Sequence, residues 1–348
     1  MSEQRVLVDY LGLSFKDYSK KDYLIEYLHL PVDEMQVKYS ARNYEYCVCY
    51  GGSVWLHWTS PECQFSKANT GCFLELTGQG CRLIESWNNN FDWFFFLYQF
   101  QDLIHTEVKL GDNIGHACKI TRLDVACDLL DDDLTTVPFL HNCAVKKCYK
   151  CLAKPKDGHF NYDINNIDSF YFGNHRQSHR FLRIYDKALE QANKYDNAAL
   201  SEMKWVRFEL CMRDECAYSF YANLVECFGD WVACYYGVMR DFITFTNESK
   251  DDVGGHTERM TAAAWWEDFL QSLLKLKQIY LPGNDYTINR LRNHIKRFYS
   301  SSIKAMLLYN NGDLYELMQF INDSKLSQKQ RDLLRKCGIN IDSQRPPD

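Results

Sequence analysis

Residues 119–129 read KITRLDVACDL, and their polar and apolar side chains alternate as in a half-buried β-strand. Because successive side chains of a strand point to opposite faces, the apolar positions share one face, and Arg122, Asp124 and Asp128 share the other. Two carboxylates separated by a small alanine form a natural site for a hard divalent cation, Mg²⁺ or Mn²⁺. The alternative is an exposed polar face without a ligand. The segment therefore predicts a strand with a candidate metal site at Asp124 and Asp128.

A second strand with the same alternation covers residues 204–213 (KWVRFELCMR). Its other face carries Arg207, Glu209 and Cys211. If this strand lies beside the first one, Glu209 supplies a third carboxylate to the metal site. The alternative is a cross-strand ion pair between Glu209 and an arginine.

Residues 180–187 (RFLRIYDK) place a tyrosine between two cations. In a strand, Arg183, Tyr185 and Lys187 share one face. Tyrosine has an ordinary pKa of about 10 and is a poor nucleophile unless its phenolate is stabilised, which neighbouring cations and a metal would do. The same cations would hold the oxygens of a phosphodiester, because arginine matches phosphate as a bidentate donor. The alternative is a surface tyrosine among ordinary salt bridges.

Two more segments concentrate hydrogen-bond donors that suit a phosphate backbone. Residues 171–180 (YFGNHRQSHR) contain a Gly-Asn turn, and residues 289–304 (NRLRNHIKRFYSSSIK) form a predicted basic helix suited to the major groove of duplex DNA. The alternative for both segments is solvated polar surface. The candidate DNA-binding residues of the chain are Arg122, Arg176, Ser178, Arg180, Arg207, Arg290, Arg292, Lys296 and Arg297.

Hydrophobic periodicity along the chain predicts a mixed α+β protein. Strands are predicted at residues 5–15, 44–50, 53–59, 72–77, 119–129, 168–173, 180–187 and 204–213. Helices are predicted at 17–29, 91–107, 136–150, 188–200, 214–228, 262–281, 287–309 and 312–336. We expect an α+β domain over 1–245, a linker or exposed loop over 246–261, and a helical C-terminal region over 262–348 for DNA binding or dimerisation.

The bulk composition sets outer limits on function. No run of about 18 apolar residues is present, so no transmembrane helix is predicted. The net charge of −6 argues against non-specific coating of DNA, but it allows a protein whose cations line one groove. The 15 cysteines are spread through predicted strands and helices, and the N-terminus lacks a signal-peptide pattern. We therefore expect free thiols and a cytoplasmic protein.

Three motifs, in this order, resemble those of the rolling-circle replication initiation factors of Gram-positive plasmids and filamentous phages. The relaxases of some integrative conjugative elements are similar. The motifs are TRLDVACD, YFGNHRQSHRFLRIYDK and VRFEL, and the early segments VDYLGLSF and ELTGQGCR also look like that family. The resemblance spans about residues 6–245 and is specific in combination, although each motif alone is weak.

The resemblance implies a nicking-closing endonuclease on a fold related to the HUH nucleases, with a central antiparallel sheet beneath the active site. The chain has no His-hydrophobic-His motif, and the carboxylate arrangement of this subfamily accounts for that difference. The tyrosine would attack one strand of origin DNA, leaving a 5′-phosphotyrosyl enzyme and a free 3′-OH, and would later religate without ATP. By position, the resemblance assigns the nucleophile to Tyr185, the Mg²⁺ or Mn²⁺ ligands to Asp124, Asp128 and Glu209, and the phosphate contacts to Arg183 and Lys187.

The implied partners are origin DNA and the host helicase and polymerase. A lone tyrosine must be reused or joined by that of a second subunit to end a round, which favours a homodimer. Three other interpretations stay open. The chain would be a relaxase of a conjugative element with the same chemistry, a non-catalytic DNA-binding regulator on the same fold, or a metal nuclease that hydrolyses directly with water.

Overall fold

The structure is a computed structural model that divides into two compact units, Met1–Ile279 and Tyr280–Asp348. The residues that it describes are 3–64, 69–88, 90–110, 113–151, 168–174, 178–247, 260–270, 292, 295, 300–324, 326, 330–331, 334–335 and 339.

The bounds of the secondary-structure elements are as follows. The strands are β1 (Glu3–Phe15), β2 (Gln36–Val37), β3 (Tyr46–Tyr50), β4 (Val54–Trp58), β5 (Cys72–Leu76), β6 (Glu107–Leu110), β7 (Asn113–His116), β8 (Cys118–Leu130), β9 (Tyr149–Cys151), β10 (Ser169–Phe172), β11 (Arg180–Asp186), β12 (Trp205–Arg213) and β13 (Ile243–Phe245). The helices are α1 (Lys20–Tyr27), α2 (Gly78–Trp87), α3 (Trp93–Tyr98), α4 (Gln101–His105), α5 (Val137–Val145), α6 (Lys187–Tyr195), α7 (Glu215–Glu226), α8 (Trp231–Phe242), α9 (Ala264–Phe269), α10 (Ser300–Tyr309) and α11 (Tyr315–Asp323).

A nine-stranded sheet forms the centre of the first unit. Its strand order is β10-β11-β12-β8-β1-β5-β4-β3-β2, and every neighbouring pair is antiparallel. The predicted α+β fold with a central antiparallel sheet and flanking helices is therefore confirmed. Each predicted strand is present, with ends that differ by at most two residues.

The alternation in the sequence decides which side of the sheet becomes the core. Val125, Ile184 and Leu210 point to one face, where they are fully buried. Helices α7 and α8 pack against the strands there. The opposite face of β11, β12, β8 and β1 receives the polar side chains, because side chains alternate with a period of two. The site residues therefore meet on one face while the core is built on the other.

Residues 260–270 pack on the first unit, although the sequence grouped most of them with the C-terminal region. Trp266 is fully buried. Its ring centroid lies 5.0 Å from that of Phe245 and 6.4 Å from that of Phe208. The backbone N–H of Ala263 donates to the carbonyl of Phe245 at 3.0 Å. Apolar contact with the sheet domain thus holds this segment in place. The predicted roles of the domains in nicking and in DNA binding or dimerisation stay predictions.

Helix α2 begins in the segment ELTGQGCR, where the sequence analysis predicts no helix. Thr77 is its N-cap, with a side chain that accepts from the backbone N–H of Gly80 at 3.5 Å. A Cβ atom on Gly80 would lie 2.2 Å from the carbonyl oxygen of Ser53, and one on Gly78 would lie 2.5 Å from a carboxylate oxygen of Asp9. Glycine is needed here because the helix start approaches other backbone and side-chain atoms closely.

Two predicted helices are shorter than their apolar patterns. The segment 91–107 divides into α3 and α4, and 136–150 ends as a helix at Val145 before β9 begins. Lys147, just beyond α5, has a φ of 56°, a left-handed conformation that ends a helix. No helix within the described ranges combines the length and the apolar character needed to cross a bilayer.

We expect Gly80→Ala to lower the free energy of unfolding by roughly 1–3 kcal/mol, because the added methyl group overlaps the Ser53 carbonyl. This overlap should outweigh the gain of about 1 kcal/mol in helix propensity. Urea unfolding followed by circular dichroism measures the change, with Ser86→Ala on the exposed side of α2 as control. A more stable Gly80→Ala variant would show that the contact relaxes without cost.

Candidate active site

Four neighbouring strands, β11, β12, β8 and β1, bring the candidate residues onto one polar face. Directly paired residues of antiparallel strands share a face. Arg183 lies opposite Glu209, Cys211 lies opposite Asp124, and Asp124 lies opposite Tyr10. The position of β12 beside β8, which the sequence left conditional, is therefore established.

Asp124, Glu209 and Cys211 form a buried cluster of metal-ligand atoms. One carboxylate oxygen from each acid and the Cys211 sulfur all lie within 4.8 Å of one another. The Cys211 thiol donates to Oε1 of Glu209 at 3.3 Å. The structure thus brings together two of the three predicted carboxylates. The sequence analysis placed Cys211 on the same face as Glu209 but did not name it as a ligand, because it treated the cysteines as small buried hydrophobes.

The cluster holds more negative charge than its surroundings neutralise. Burial raises the pKa of Asp124 to about 7, although its ion pair with Arg122 at 2.5 Å opposes the rise. The charges of Glu209 and Asp9 add to it. Burial, followed by the charge of Asp9, likewise raises the pKa of Glu209. A divalent cation bound there would supply positive charge and so favour the ionised forms of both carboxylates.

The donor set fits a divalent cation. The two carboxylates are hard oxygen donors of the kind that Mg²⁺ and Mn²⁺ bind, whereas a thiolate favours softer metals. Two oxygens and one sulfur therefore suit a cation that tolerates both donor types. Asp124, Glu209 and Cys211 are therefore candidate metal ligands. A second group of potential ligand atoms in the first unit, His179, Asp214 and Glu215, lies nearer the surface.

Asp128 lies outside that cluster, in a buried ion-pair triad. Both of its oxygens accept from Arg207, at 2.6 Å from Nε and 2.7 Å from Nη2. The remaining Arg207 nitrogen, Nη1, donates to Asp9 at 2.7 Å. Arg207 is only 5% exposed, and through these bonds it links β12, β8 and β1. Its predicted contact with DNA stays a prediction. The metal-ligand role of Asp128 stays a prediction.

Asp9 is a site residue that the sequence interpretation did not single out. The register of β1 against β8 shifts between Val8 and Tyr10, so Asp9 is the extra residue of a β-bulge. Bulges re-aim side chains next to active sites, and this one turns Asp9 toward Arg207. The residues of β1 in the hydrophobic core step from Val8 to Leu11 and so slip the period of two by one residue. The sequence alone does not mark this slip, because residues 6–8, 10 and 11 are all apolar or aromatic.

The three predicted catalytic residues lie together at the end of β11. Tyr185 is buried, at 3% exposed. The guanidinium carbon of Arg183 lies 4.2 Å from the centre of its ring, and Nζ of Lys187 lies 5.6 Å from it. Lys187 is the first residue of α6 rather than part of the strand, and its ammonium group pairs with Glu190.

The protonation of Tyr185 differs from the expectation based on its cationic neighbours. Burial is the largest influence and raises the pKa of Tyr185, with the charge of Glu209 adding to the rise. The charge of Arg207 lowers this pKa, but by less than burial and Glu209 raise it. Loss of hydration therefore outweighs the nearby cations, and the side chain is held as a neutral phenol.

The predicted DNA-binding residues near the sheet differ in exposure. Arg122 is partly exposed, and its guanidinium stacks 4.1 Å above the ring of Tyr10. Arg180 is 4% exposed, with Nη1 3.5 Å from Asp241 on α8, so this burial on the core side does not fit contact with DNA. Ser178 closes a turn, in which its Oγ accepts from the N–H of Asn174 at 3.0 Å.

The remaining predicted DNA-binding residues lie elsewhere in the chain. Arg292 is helical and exposed in the second unit. Outside the described residues lie Arg176, Arg290, Lys296 and Arg297. Their predicted contacts with DNA stay predictions.

Comparison with known proteins shows which family has these features. A family model described as "Replication initiation factor" matches residues 118–321. A second, described as "Rolling Circle replication initiation protein N-terminal domain", matches residues 5–99. Together these matches include β1 and the strands β8, β11 and β12 of the site.

Individual proteins are similar over most of the chain. The Bacillus subtilis (strain 168) protein described as "Putative DNA relaxase NicK" is 26% identical over 343 residues, covering 94% of this chain and 88% of its own. A structure of the rolling circle replication initiator protein from Geobacillus stearothermophilus has a TM-score of 0.58 and 21% identity, covering 79% of this chain and 99% of its own. The structural likeness shows a shared fold.

The raised pKa of Asp124 predicts that the free energy of unfolding falls as the pH rises toward neutrality. The value is about 7 in the fold and near 3.9 in an unfolded chain, so ionisation favours unfolding as pH rises from about 4 to 7. The amide side chain of the Asp124→Asn variant does not ionise, so its stability lacks this dependence on pH. In EDTA, we expect the free energy of unfolding of Asp124→Asn, relative to that of the parent chain, to rise by roughly 2–3 kcal/mol between pH 5 and pH 8.

Urea unfolding at four pH values measures this difference, with the exposed Asp33→Asn as control. Excess Mn²⁺ at pH 8 should raise the free energy of unfolding of the parent chain. It should leave that of Asp124→Asn unchanged, because the variant lacks the Asp124 carboxylate as a metal ligand. A difference that stays constant across this pH range would contradict the buried, protonated state of Asp124.

Proposed function

The chain belongs to the replication initiation factor family, and we propose that Tyr185 carries out its nicking chemistry. The protein is a rolling-circle replication initiator, a site-specific endonuclease that nicks DNA. The identity of the nucleophile, the metal and its ligands, and the protein partners belong to the proposal.

The observation that carries the proposal is the position of Tyr185 on the polar face that also holds the acidic cluster. It lies opposite Arg207 and one strand away from Glu209. Arg183 and Lys187 are cations within 6 Å of its ring centre. A phosphodiester placed there would meet a nucleophile, two cationic groups and candidate metal ligands at once.

In the proposed reaction, the phenolic oxygen of Tyr185 attacks the scissile phosphorus. A P–O bond to Tyr185 forms, and the bond from phosphorus to the 3′ oxygen breaks. The phenol loses its proton, and the departing 3′ oxygen takes one up and becomes the free 3′-OH that a polymerase extends. The reverse attack by a 3′-OH restores the DNA and the phenol, so religation needs no ATP.

Binding of DNA must change the surroundings of Tyr185. The ring is 3% exposed and lies under the Arg183 guanidinium, so a phosphate reaches the phenol only when that side chain moves aside. The guanidinium would then bind phosphate oxygens, for which arginine is well shaped. This arrangement keeps the phenol neutral until a substrate is present.

For the metal we propose a site formed by Asp124, Glu209 and Cys211. A bound divalent cation supplies positive charge that stabilises the charge developing on the phosphate oxygens. Arg122 keeps Asp124 oriented through its ion pair at 2.5 Å. The thiol favours Mn²⁺ or a softer cation over Mg²⁺.

A relaxase of a conjugative element would use the same steps, since both processes begin with one nick. Origin DNA is the proposed substrate, and the host helicase and polymerase are the proposed partners after the nick. We also propose a homodimer, because one tyrosine makes the first nick and a second cleavage must end the round of replication. The tyrosine of a second subunit could make that cleavage.

Tyr185→Phe should abolish the covalent protein–DNA adduct, lowering its yield by at least roughly 100-fold, because the attacking oxygen is gone. The substrate is labelled single-stranded and supercoiled origin DNA from the element that encodes the chain, with Mn²⁺, followed by a denaturing gel. The control is Tyr195→Phe, an exposed tyrosine on α6. Cleavage that continues without an adduct would instead support hydrolysis by water. Binding without cleavage in any metal would support a regulator.

Cys211→Ser should alter the choice of metal. Titration with Co²⁺ should give a thiolate-to-cobalt charge-transfer band in the parent chain and in Cys63→Ser, but none in Cys211→Ser. Affinity for Co²⁺ should fall roughly tenfold or more, whereas affinity for Mg²⁺ should change little, because serine keeps an oxygen donor. An unchanged band in Cys211→Ser would exclude this thiol as a ligand.

A further inference from the structure

We propose that Arg42 reads an unpaired guanine base of the nicked strand, close to the scissile phosphate. The inference rests on the nicking site proposed above and concerns how that site selects its DNA. It uses side chains of β1, of β5 and of the loop before β3, to which the nicking steps assign no role.

A row of side chains leads from the acidic cluster to Arg42. Asp124 of β8 lies opposite Tyr10 of β1. Gly12, two residues along β1 and therefore on the same face, lies opposite Glu75 of β5. Two strand spacings thus separate Asp124 from Glu75, which is roughly 10 Å. At a rise of roughly 3.4 Å or more per nucleotide, one DNA strand covers this distance in about one to three nucleotides.

Tyr10 and Glu75 hold this row together. The Tyr10 hydroxyl donates to Glu75, and the Arg122 guanidinium stacks over the Tyr10 ring. Glu75 also accepts from Nε of Arg42. Burial alone would raise the pKa of Glu75, but the hydrogen bonds from Arg42 and Tyr10 lower it below its usual value. The ionised carboxylate therefore fixes the orientation of Arg42 and offsets its charge.

The Arg42 guanidinium keeps one edge for a ligand. Its Nε donates to Glu75, and its Nη2 donates to the Tyr10 hydroxyl at 3.3 Å, so both bonds lie on one side of the group. Nη1 has no hydrogen-bond partner among the described residues. The side chain is 44% exposed. The end of the guanidinium thus presents a fork of two donors, which matches the O6 and N7 acceptors of guanine.

Aromatic rings beside Arg42 provide flat surfaces for a base. The guanidinium carbon lies 4.9 Å from the ring centre of Phe73. The ring of the half-buried Tyr44 is nearly parallel to that of Phe73, with their centres 6.3 Å apart. Unpaired bases stack on aromatic side chains and on guanidinium planes. The surroundings of Arg42 therefore suit a base that has left a duplex.

Charge balance favours a base over a phosphate at Arg42. A phosphate on this fork would lie close to the Glu75 carboxylate, and the two negative charges would repel each other. A neutral base meets no such repulsion. Arg183 provides the contrast, because its Nη1 lies 4.0 Å from Glu209, at the outer limit of an ion pair. The loosely paired arginine suits phosphate, and the closely paired Arg42 suits a base.

The experiment measures binding without cleavage, so it does not depend on the identity of the nucleophile. Fluorescence anisotropy in EDTA follows the full chain with Tyr185→Phe as it binds labelled oligonucleotides that span the mapped nick site. Each nucleotide near the nick is replaced in turn by the other bases, and each guanine also by inosine and by 7-deazaguanine. Inosine keeps both O6 and N7, whereas 7-deazaguanine lacks N7.

At one position we expect guanine to bind at least roughly tenfold more tightly than the other bases, with inosine equal to guanine and 7-deazaguanine as weak as adenine. Arg42→Lys keeps the charge but loses the fork, so this preference should fall to about twofold or less. Lys38→Ala removes an exposed cation of the same loop and should keep the full preference.

A guanine preference that persists in Arg42→Lys overturns the inference, as does a chain with intact Arg42 that shows no guanine preference near the nick. Equal weakening of all oligonucleotides by Arg42→Lys, with a smaller dependence on salt, also overturns it and assigns Arg42 to phosphate. The base analogues test the intact Arg42, so they decide the question even if the variant folds poorly. A covalent adduct that survives Tyr185→Phe would overturn the proposed nucleophile and leave the preference at Arg42 standing.

Discussion

The buried guanidinium of Arg207 is the constraint on which the site depends. Its three nitrogens are satisfied by Asp128 from β8 and Asp9 from β1, all at 2.6–2.7 Å. A buried charge without such partners would cost several kcal/mol. The triad therefore holds β12, β8 and β1 in one register, since a slip of one residue would turn Arg207 into the apolar core. On the other side of β12, Tyr185 of β11 lies directly across from Arg207.

Burial and charge compete on the polar face, and burial prevails. It raises the pKa of Asp124, Glu209 and Tyr185, although arginines stand beside each of them. The low dielectric that disfavours their charged forms also strengthens each interaction with an incoming cation or phosphate. The site is thereby arranged so that DNA and metal supply the charges that complete it. The same cations that the sequence suggested would activate the tyrosine are placed instead to receive the phosphate.

Sequence reasoning succeeded where one local pattern was sufficient. The alternation in 119–129 and 204–213 fixed both strands and the composition of their two faces. It failed where packing overrode the local signal. Gly78 and Gly80 have poor helix propensity, yet they begin α2, because only glycine allows the helix to approach Ser53 and Asp9 closely. The apolar stretch 91–107 divides into α3 and α4, a break that its composition does not mark.

By itself the sequence determined the fold class, the strands, the polar face and the association of a tyrosine with cations and carboxylates. These follow from the two-residue period of a strand, which is a local property of the chain. Only the tertiary structure decided which carboxylates meet. It placed Cys211 with Asp124 and Glu209, gave Asp128 to Arg207, and brought Asp9 in through a bulge. Those choices depend on which strands are neighbours and how deeply each group is buried, and such long-range contacts leave no periodic trace in the sequence.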